Sequence, residues 1–148
     1  MAVDAKIEDF QARLNQLAID LNVSNVLVMK SDDLSVKVDL SGGPEADKFP
    51  LGMEELRKPD KKLYCEKVIE TNGLLVVNDS TQSEEWKDNV DAQKFGLISY
   101  IGVPLHGPDG TIQGTVCAVD KKSHSFDEKA IQSITQLRDD IEKFVTEK

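Results

Sequence analysis

Apolar positions in the first part of the chain recur at intervals of three and four residues. They are Val3, Ile7, Phe10, Leu14, Leu17 and Leu21. This spacing puts them on one side of an α-helix, which we expect to end near Asn22. A second stripe of the same kind predicts a closing helix with Ala130, Ile134, Leu137, Ile141 and Phe144. Ser125 and Glu128 have the spacing of a capping box, so Ser125 is the predicted N-cap of that helix.

Two segments after the first helix have the patterns of β-strands. Residues 26–29 are continuously apolar, as in a strand covered on both faces. Residues 34–40 alternate between apolar and polar, and the Ser31-Asp32-Asp33 segment between the two suits a turn. We therefore expect an antiparallel hairpin. Residues 41–60 hold most of the prolines and predict an irregular connection, with one helical turn from Met53 to Leu56.

The middle of the chain predicts a helix, a strand and a polar stretch. Residues 62–71 carry apolar side chains at helical spacing, and Asn72-Gly73 is a typical helix C-terminus. A short buried strand is predicted at 74–77. The polar stretch 80–95 contains Trp86 and is expected to form a short helix that begins at Glu84.

The strongest strand signals lie in the last third of the chain. Residues 97–105 and 111–120 are rich in β-branched and aromatic side chains, and Gly107-Pro108-Asp109-Gly110 between them predicts a hairpin turn. Pro104 has no amide hydrogen, so that end of its strand should be unpaired or bulged. Antiparallel strands flanked by helices make this an α+β domain.

Composition narrows the class of protein. The 148 residues carry a formal net charge of −9, with 39% hydrophobic and 30% charged residues, so the chain should fold as one domain over residues 1–148. The negative charge makes nucleic acid and membrane surfaces poor partners. Two distant cysteines, the charged N-terminal segment and the lack of a long apolar run predict a cytoplasmic protein.

Three segments resemble the GAF domain family. YCEKVIETNGLLVVNDS at 64–80 is similar to the helix-then-strand segment of that family, and ISYIGVPLHGPDGTIQGTVCAVD at 98–120 resembles its central hairpin. SFDEKAI at 125–131 is similar to the start of its closing helix. The resemblance implies a GAF/PAS-like antiparallel sheet of strand order 2-1-5-4-3. It places the terminal helices on one face and a ligand pocket on the other.

The resemblance also implies a function in small-molecule sensing. The two helical stripes either cover the sheet or form a seam in a homodimer, through which helix shifts would carry a signal. A signalling protein bound in trans is the other predicted partner. The candidate ligand-binding residues are Tyr64, Cys65, Asp79, Trp86, Phe95, Ser99, Tyr100, Thr115 and Cys117.

These candidates divide by the chemistry they offer to a pocket. The aromatic residues would form its walls, and Trp86 would be either a lid over the pocket or an anchor in the core. Ser99, Thr115 and Asp79 would supply hydrogen bonds. Alternate residues of the strand at 97–105 face opposite ways, and we expect Ser99 to face the pocket because a buried hydroxyl needs a partner.

Two other functions stay open at this stage. A thiol enzyme similar to free methionine sulfoxide reductases is one, because Cys65 follows Lys61 and Lys62 near a helix N-terminus. However, the clustered cysteines of that branch include one before the IGVPL strand, and this chain has none there. A dimerisation scaffold without a ligand is the other. His106 and His124 are expected on the surface, and no metal, haem or bilin cofactor is predicted.

Overall fold

The computed structural model describes residues 2–57 and 63–146. Within them the helices are α1 (Ala2–Leu21), α2 (Tyr64–Thr71), α3 (Val90–Phe95) and α4 (Glu128–Thr146). The strands are β1 (Asn25–Ser31), β2 (Ser35–Gly42), β3 (Glu54–Leu56), β4 (Leu75–Val77), β5 (Ser99–His106) and β6 (Ile112–Asp120). None of the described helices is apolar over a length that could cross a bilayer.

All six strands form one antiparallel sheet of order β3-β2-β1-β6-β5-β4. The five strands expected from sequence stand in the predicted order, which confirms the α+β class. Strand β3 is added at one edge, where a helical turn from Met53 to Leu56 had been predicted. That prediction is wrong because pairing with β2, with Ser35 opposite Leu56, outweighs the weak local preference of three residues. A single 3₁₀ turn lies earlier, at Ala46–Lys48.

Capping residues set the ends of two helices, and the N-cap predicted for the closing helix is wrong. Asn72 ends α2 in the left-handed conformation, with φ of 52°, as predicted for a helix C-cap. Helix α4 begins at Glu128, and the backbone N–H of Ala130 donates to Asp127 Oδ1 over 2.9 Å. Asp127, and not Ser125, therefore caps the helix, because Asp127 directly precedes the first turn and its carboxylate reaches the free amide.

Helices α1 and α4 cover one face of the sheet, the helix-covered face. Their apolar stripes pack on the inward residues of β1, β5 and β6, including Val26, Ile101 and Val116. Leu14 and Ile134 are completely buried there. The two stripes are thus used within the domain, which is the first of the two interpretations drawn from their spacing.

The opposite face, the cavity face, is covered by shorter elements. Helix α2 packs on β5 and β6, and the segments that hold β3 and α3 close the rest. The predicted helix from Glu84 is instead a turn, and the regular helix in this stretch is α3, which starts at Val90. Asn89 caps α3, because its Oδ1 accepts a hydrogen bond from the backbone N–H of Ala92 over 3.0 Å.

Candidate ligand-binding cavity

A cavity of about 50 Å³ lies between the cavity face and its cover. Its floor includes Leu27, Val38 and Cys117 on neighbouring strands, and its cover includes Cys65 and Phe95. The lining is largely apolar. A cavity of this size holds a few water molecules or one small group, whereas pockets for drug-sized ligands are typically about 300–1,000 Å³.

Strand alternation decides which side chains reach the cavity. Tyr100 lines it, and its strand neighbour Ile101 packs under the terminal helices. Ser99 shares the parity of Ile101, and its hydroxyl donates to Asp120 O over 3.4 Å. The choice of Ser99 for the pocket is therefore corrected to Tyr100. Thr115 lies two residues from Cys117 on β6 and so shares the cavity face.

Three aromatic rings stack behind the cavity. Tyr64 lies between Trp86 and Tyr100, with ring centroids 5.1 Å and 5.0 Å away. The Tyr64 hydroxyl donates to Leu97 O over 2.9 Å and accepts from Asn89 Nδ2 over 3.0 Å. Trp86 is 4% exposed and packs against this stack without lining the cavity. Of the two roles predicted for Trp86, the structure thus supports the core anchor.

Several polar side chains on the cavity face have no partner. Among the described residues, buried side-chain atoms without a hydrogen bond belong to Asn25, Ser80, Tyr100 and Thr115. Asn25 stands opposite Val119, as Tyr100 does, so both share the cavity face. Such groups are uncommon in native proteins because an unpaired buried polar atom is costly. Sequence reasoning missed Asn25, which nothing in the strand pattern marks.

Close packing fixes the position of the Tyr100 hydroxyl. A Cβ at Gly102 would come within 2.4 Å of Tyr100 Oη, so only glycine at 102 leaves room for this ring. Burial raises the pKa of Tyr100 well above its ordinary value, which keeps the hydroxyl protonated. Thr115 lies close enough to favour ionisation slightly, although the geometry of the pair is not that of a hydrogen bond.

Both thiols reach the same cavity. Cys65 is 7% exposed and Cys117 is 2% exposed. Burial raises the pKa of Cys65 well above 9.0, and it raises the pKa of Cys117 to about 12. Burial thus outweighs the activation that the place of Cys65 near a helix N-terminus had left open, and both thiols stay protonated at neutral pH.

A carboxylate of the cover also faces the cavity. Asp91 Oδ2 accepts a hydrogen bond from the backbone N–H of Tyr64 over 3.0 Å. Burial, together with the nearby carboxylates of Glu55 and Glu66, raises the pKa of Asp91 from 3.8 to about 6. The aspartate joins the first turns of α2 and α3, and sequence reasoning missed it because these turns meet only in the folded chain.

The remaining candidates lie at the rim or outside it. Phe95 lines the cavity and packs on Phe49, with ring centroids 5.2 Å apart. Asp79 accepts hydrogen bonds from the backbone N–H and the hydroxyl of Thr81, so its carboxylate caps a 3₁₀ turn outside the cavity. Of the candidates, Cys65, Phe95, Tyr100 and Cys117 line the cavity, and Thr115 lies on the same face of the sheet.

The two histidines are partly buried and held by carboxylates, which corrects the surface positions expected for them. His106 Nδ1 donates to Glu142 Oε2 of α4 over 2.8 Å, and its Nε2 lies 2.7 Å from Asn72 Oδ1 at the end of α2. His124 Nε2 lies 2.6 Å from Asp120 Oδ2. His106 thus bridges the cover of the cavity and a terminal helix.

A larger hollow of about 410 Å³ opens on the other side, at the ends of the terminal helices. Its walls include Ile7, Phe10, Leu105 and Ile141. Within the described residues, no group of three or more His, Cys, Asp or Glu side chains is placed to hold a metal ion. Tyr100, whose hydroxyl has no hydrogen-bond partner, lines the smaller cavity, and this makes the smaller cavity the better candidate site.

Comparison with protein families identifies the type of domain. The family model described as GAF domain matches residues 7–143, nearly the whole chain. Among curated proteins, diguanylate cyclase DgcP of Escherichia coli is 28% identical over 68 residues, which cover 46% of this chain and 19% of that protein. The chain therefore spans well under two thirds of that relative.

Solved structures share the fold at low sequence identity. The GAF domain of Thermosynechococcus elongatus PixJ, in its blue-light absorbing form, superposes with a TM-score of 0.70 at 14% identity, over 97% of this chain and 88% of that one. Free methionine-R-sulfoxide reductase from Neisseria meningitidis, in complex with its substrate, gives a TM-score of 0.68 at 22% identity, over 99% and 84%. These identities support the fold alone.

Proposed function

The chain belongs to the GAF domain family, and from this premise we propose that it is a sensory or regulatory module whose small-molecule ligand binds at the cavity face. The observation that carries the proposal is the set of buried side chains there without partners, Asn25, Tyr100 and Thr115. A ligand that supplies their missing hydrogen bonds would bind favourably, because the empty site leaves these polar atoms buried and unpaired.

The size of the cavity restricts how such a ligand enters. A volume of about 50 Å³ admits only a few atoms, so a larger metabolite requires the cover to move. The cover near α3 is held partly by exposed contacts, such as the 2.8 Å ion pair between Lys94 and Glu55. Exposed ion pairs contribute only about 0–1 kcal/mol, so this part of the cover is the expected place of opening.

A route for the signal follows from the contacts of His106. Movement of α2 displaces Asn72, which lies 2.7 Å from the ring, and the same ring binds Glu142 of α4. A ligand that binds the open and closed covers with different affinity would therefore shift the position of α4. Transfer to a second copy through the terminal helices, or to a partner in trans, completes the proposal.

The direct test is a thermal-shift screen of small molecules against the full chain. A ligand that binds only the folded state raises Tm by mass action. The shift should be lost in Tyr100→Phe and Thr115→Val, which remove one hydroxyl each at nearly constant volume. Ser99→Ala removes a buried hydroxyl on the opposite face and should keep it. A shift that survives both cavity variants would contradict the assignment of this face.

The oligomeric part of the proposal has its own test. Ile19 is 69% exposed on α1 and lies outside the stripe that packs on the sheet. If the outer surface of α1 forms a homodimer, Ile19→Asp should convert the dimer to a monomer in sedimentation velocity. A monomeric parent protein would leave only signalling through a partner in trans.

The thiol-enzyme alternative has one observation in its favour, which is that Cys65 and Cys117 line the same cavity. Burial acts against it, because a nucleophilic thiolate needs a lowered pKa and both values are raised. An assay of free methionine sulfoxide reduction with the parent and Cys65→Ser decides this alternative. Activity that depends on Cys65 would replace the sensor proposal with the enzyme.

A further inference from the structure

The lining of the cavity carries negative charge. Among the residues that the structure describes, Glu54, Glu55 and Asp91 line it, whereas no lysine or arginine does. Glu55 stands opposite Val36, a buried residue of the lining, so the two side chains lie on the same face of the sheet. The carboxylate of Glu54 is engaged elsewhere, because it accepts a hydrogen bond from the Ser35 hydroxyl over 2.8 Å. Glu55 and Asp91 are therefore the acidic groups available to a ligand.

These two carboxylates lie near each other in the cover, on β3 and α3. Burial raises the pKa of Asp91 to about 6, and the negative charge of Glu55 adds to this effect. At neutral pH both groups are therefore ionised in a largely apolar lining, where their repulsion costs stability. Groups that are kept at a cost to stability are typical of binding sites.

An ammonium group already lies at the rim of this lining. Lys94 Nζ donates to Glu55 Oε2 over 2.8 Å and lies 5.6 Å from the centroid of the Phe95 ring. Phe95 lines the cavity, whereas Lys94, whose side chain is 55% exposed, stays outside it. Carboxylates and aromatic rings both attract an ammonium group. The contact of Lys94 shows that Glu55 is accessible to such a group at the edge of the cavity.

The hydroxyl of Tyr100 points to an occupant independently of the acidic side chains. Tyr100 is 2% exposed and lines the cavity, and its hydroxyl has no hydrogen-bond partner. After burial, the largest influences on the pKa of Tyr100 come from Cys117, Cys65 and Asp91, and all three line the same cavity. The hydroxyl oxygen is therefore close to this space and offers an acceptor to a ligand.

An ammonium group matches this set of acceptors better than other charged groups do. It has hydrogen-bond donors and no acceptor, so carboxylate and hydroxyl oxygens are its partners. An anion would be repelled by Glu55 and Asp91. A metal ion needs several converging ligands, and no group of three or more His, Cys, Asp or Glu residues is placed for one in the described part of the chain. A volume of about 50 Å³ admits an ammonium group on a short apolar chain.

We propose that the cavity binds a small primary amine in its ammonium form, which pairs with Asp91 and Glu55 and competes with Lys94 for Glu55. This inference rests on the proposed function, since it names the ligand class of the same site. The ion pair of Lys94 with Glu55 joins α3 to β3. Competition for Glu55 therefore couples occupancy of the cavity to the position of α3 in the cover.

The experiment is an NMR titration of the ¹⁵N-labelled full chain at neutral pH with ethylamine hydrochloride. Parallel titrations use ethanol and sodium acetate at the same concentration and ionic strength, since these probes have a similar size and a different charge. The amide of Tyr64 reports on the site, because it donates to Asp91 Oδ2 over 3.0 Å. Ethylamine should shift this amide signal in a saturable way, and ethanol and acetate should not.

Three variants identify the groups that bind the amine. Asp91→Asn should weaken ethylamine binding at least about tenfold, because it removes a charge-assisted hydrogen bond and keeps the shape of the site. Lys94→Gln should tighten binding by up to about fivefold, because Glu55 loses its internal partner, and a folding defect does not produce a gain of affinity. Glu84→Gln removes the same charge from a side chain that is 93% exposed outside the lining, and it should bind as the parent does.

Failure of the ligand class can be told from failure of the proposed function. Absence of saturable ethylamine binding, equally tight binding of ethanol or acetate, or unchanged binding in Asp91→Asn overturns the proposal. An affinity in Lys94→Gln no higher than that of the parent contradicts the competition for Glu55. If ethylamine does not bind but a neutral or anionic ligand from the thermal-shift screen depends on Tyr100 and Thr115, the amine assignment fails and the sensory module stands.

Discussion

The two faces of the sheet are made from alternate residues of the same strands, but they differ in packing and in polarity. On the helix-covered face, Ile101 and Val103 join an apolar cluster with Leu14 and Ile134. On the cavity face, Tyr100 and its neighbours leave polar atoms unpaired and a void beneath the cover. One face stabilises the fold, and the other retains groups that cost stability, a combination typical of binding sites.

The largest effect of a substitution on the free energy of unfolding is expected on the helix-covered face. Ile134→Ala should lower the free energy of unfolding by about 2–5 kcal/mol, because it leaves a cavity in a fully buried cluster. Urea unfolding followed by circular dichroism measures this loss. Ile19→Ala, at a position that is 69% exposed, is the control and should stay within about 0.5 kcal/mol of the parent. Equal effects at the two sites would contradict the packing described.

A substitution at Asp91 is expected to raise the free energy of unfolding, whereas the substitution at Ile134 lowers it. Because the pKa of Asp91 rises from 3.8 unfolded to about 6 folded, the folded state binds its proton more tightly, and this contribution to stability falls as pH rises from about 4 to about 6. Asp91→Asn removes the buried charge and keeps an acceptor for the Tyr64 amide. At pH 7 it should stabilise the protein by about 1–2 kcal/mol, after a discount for partial exposure.

The measurement for Asp91→Asn is urea unfolding at a series of pH values from 4 to 8. The stability difference between the variant and the parent should grow across the interval in which Asp91 ionises and then stay constant. A variant less stable than the parent at pH 7 would mean that the carboxylate is a favourable helix cap and that its burial costs little.

Within the cavity face, the hydroxyls of the stacked residues Tyr64 and Tyr100 are expected to contribute differently to the free energy of unfolding. Tyr64→Phe breaks hydrogen bonds to Leu97 and Asn89 and should cost about 1–2 kcal/mol. Tyr100→Phe removes a hydroxyl that has no partner and should be neutral or stabilise by up to about 1 kcal/mol. Chemical denaturation of both variants at one pH provides the test. A cost at Tyr100 as large as that at Tyr64 would reveal a partner for its hydroxyl.

The smallest effect is expected outside both faces, at the start of α4. Asp127→Ala should cost about 1 kcal/mol because it removes the acceptor for the Ala130 amide. Ser125→Ala should change stability by less than about 0.5 kcal/mol. Thermal unfolding monitored by calorimetry compares the two. The reverse order would restore Ser125 as the cap.

Much of the site could not have been predicted from the sequence. The strand pattern indicates that residues of 97–105 face two ways, but it does not tell which set meets the cavity, and the choice of Ser99 was wrong for that reason. Asp91 lies in a polar stretch without periodicity, so nothing local marks it, whereas Asn89 has the local signal of an N-cap. The contacts of both residues with Tyr64, which is 27 and 25 residues away, arise only in the folded chain.

The sequence by itself determined α1, α2, α4 and five of the six strands of the described residues, because apolar periodicity and turn residues act between near neighbours, and the family resemblance supplied the order of those strands. Only the tertiary structure decided the added strand β3, the size of the cavity and the face of β5 that meets it. These features arise from residues far apart in the chain, whose proximity is set by how the helices and the shorter covering elements pack on the sheet.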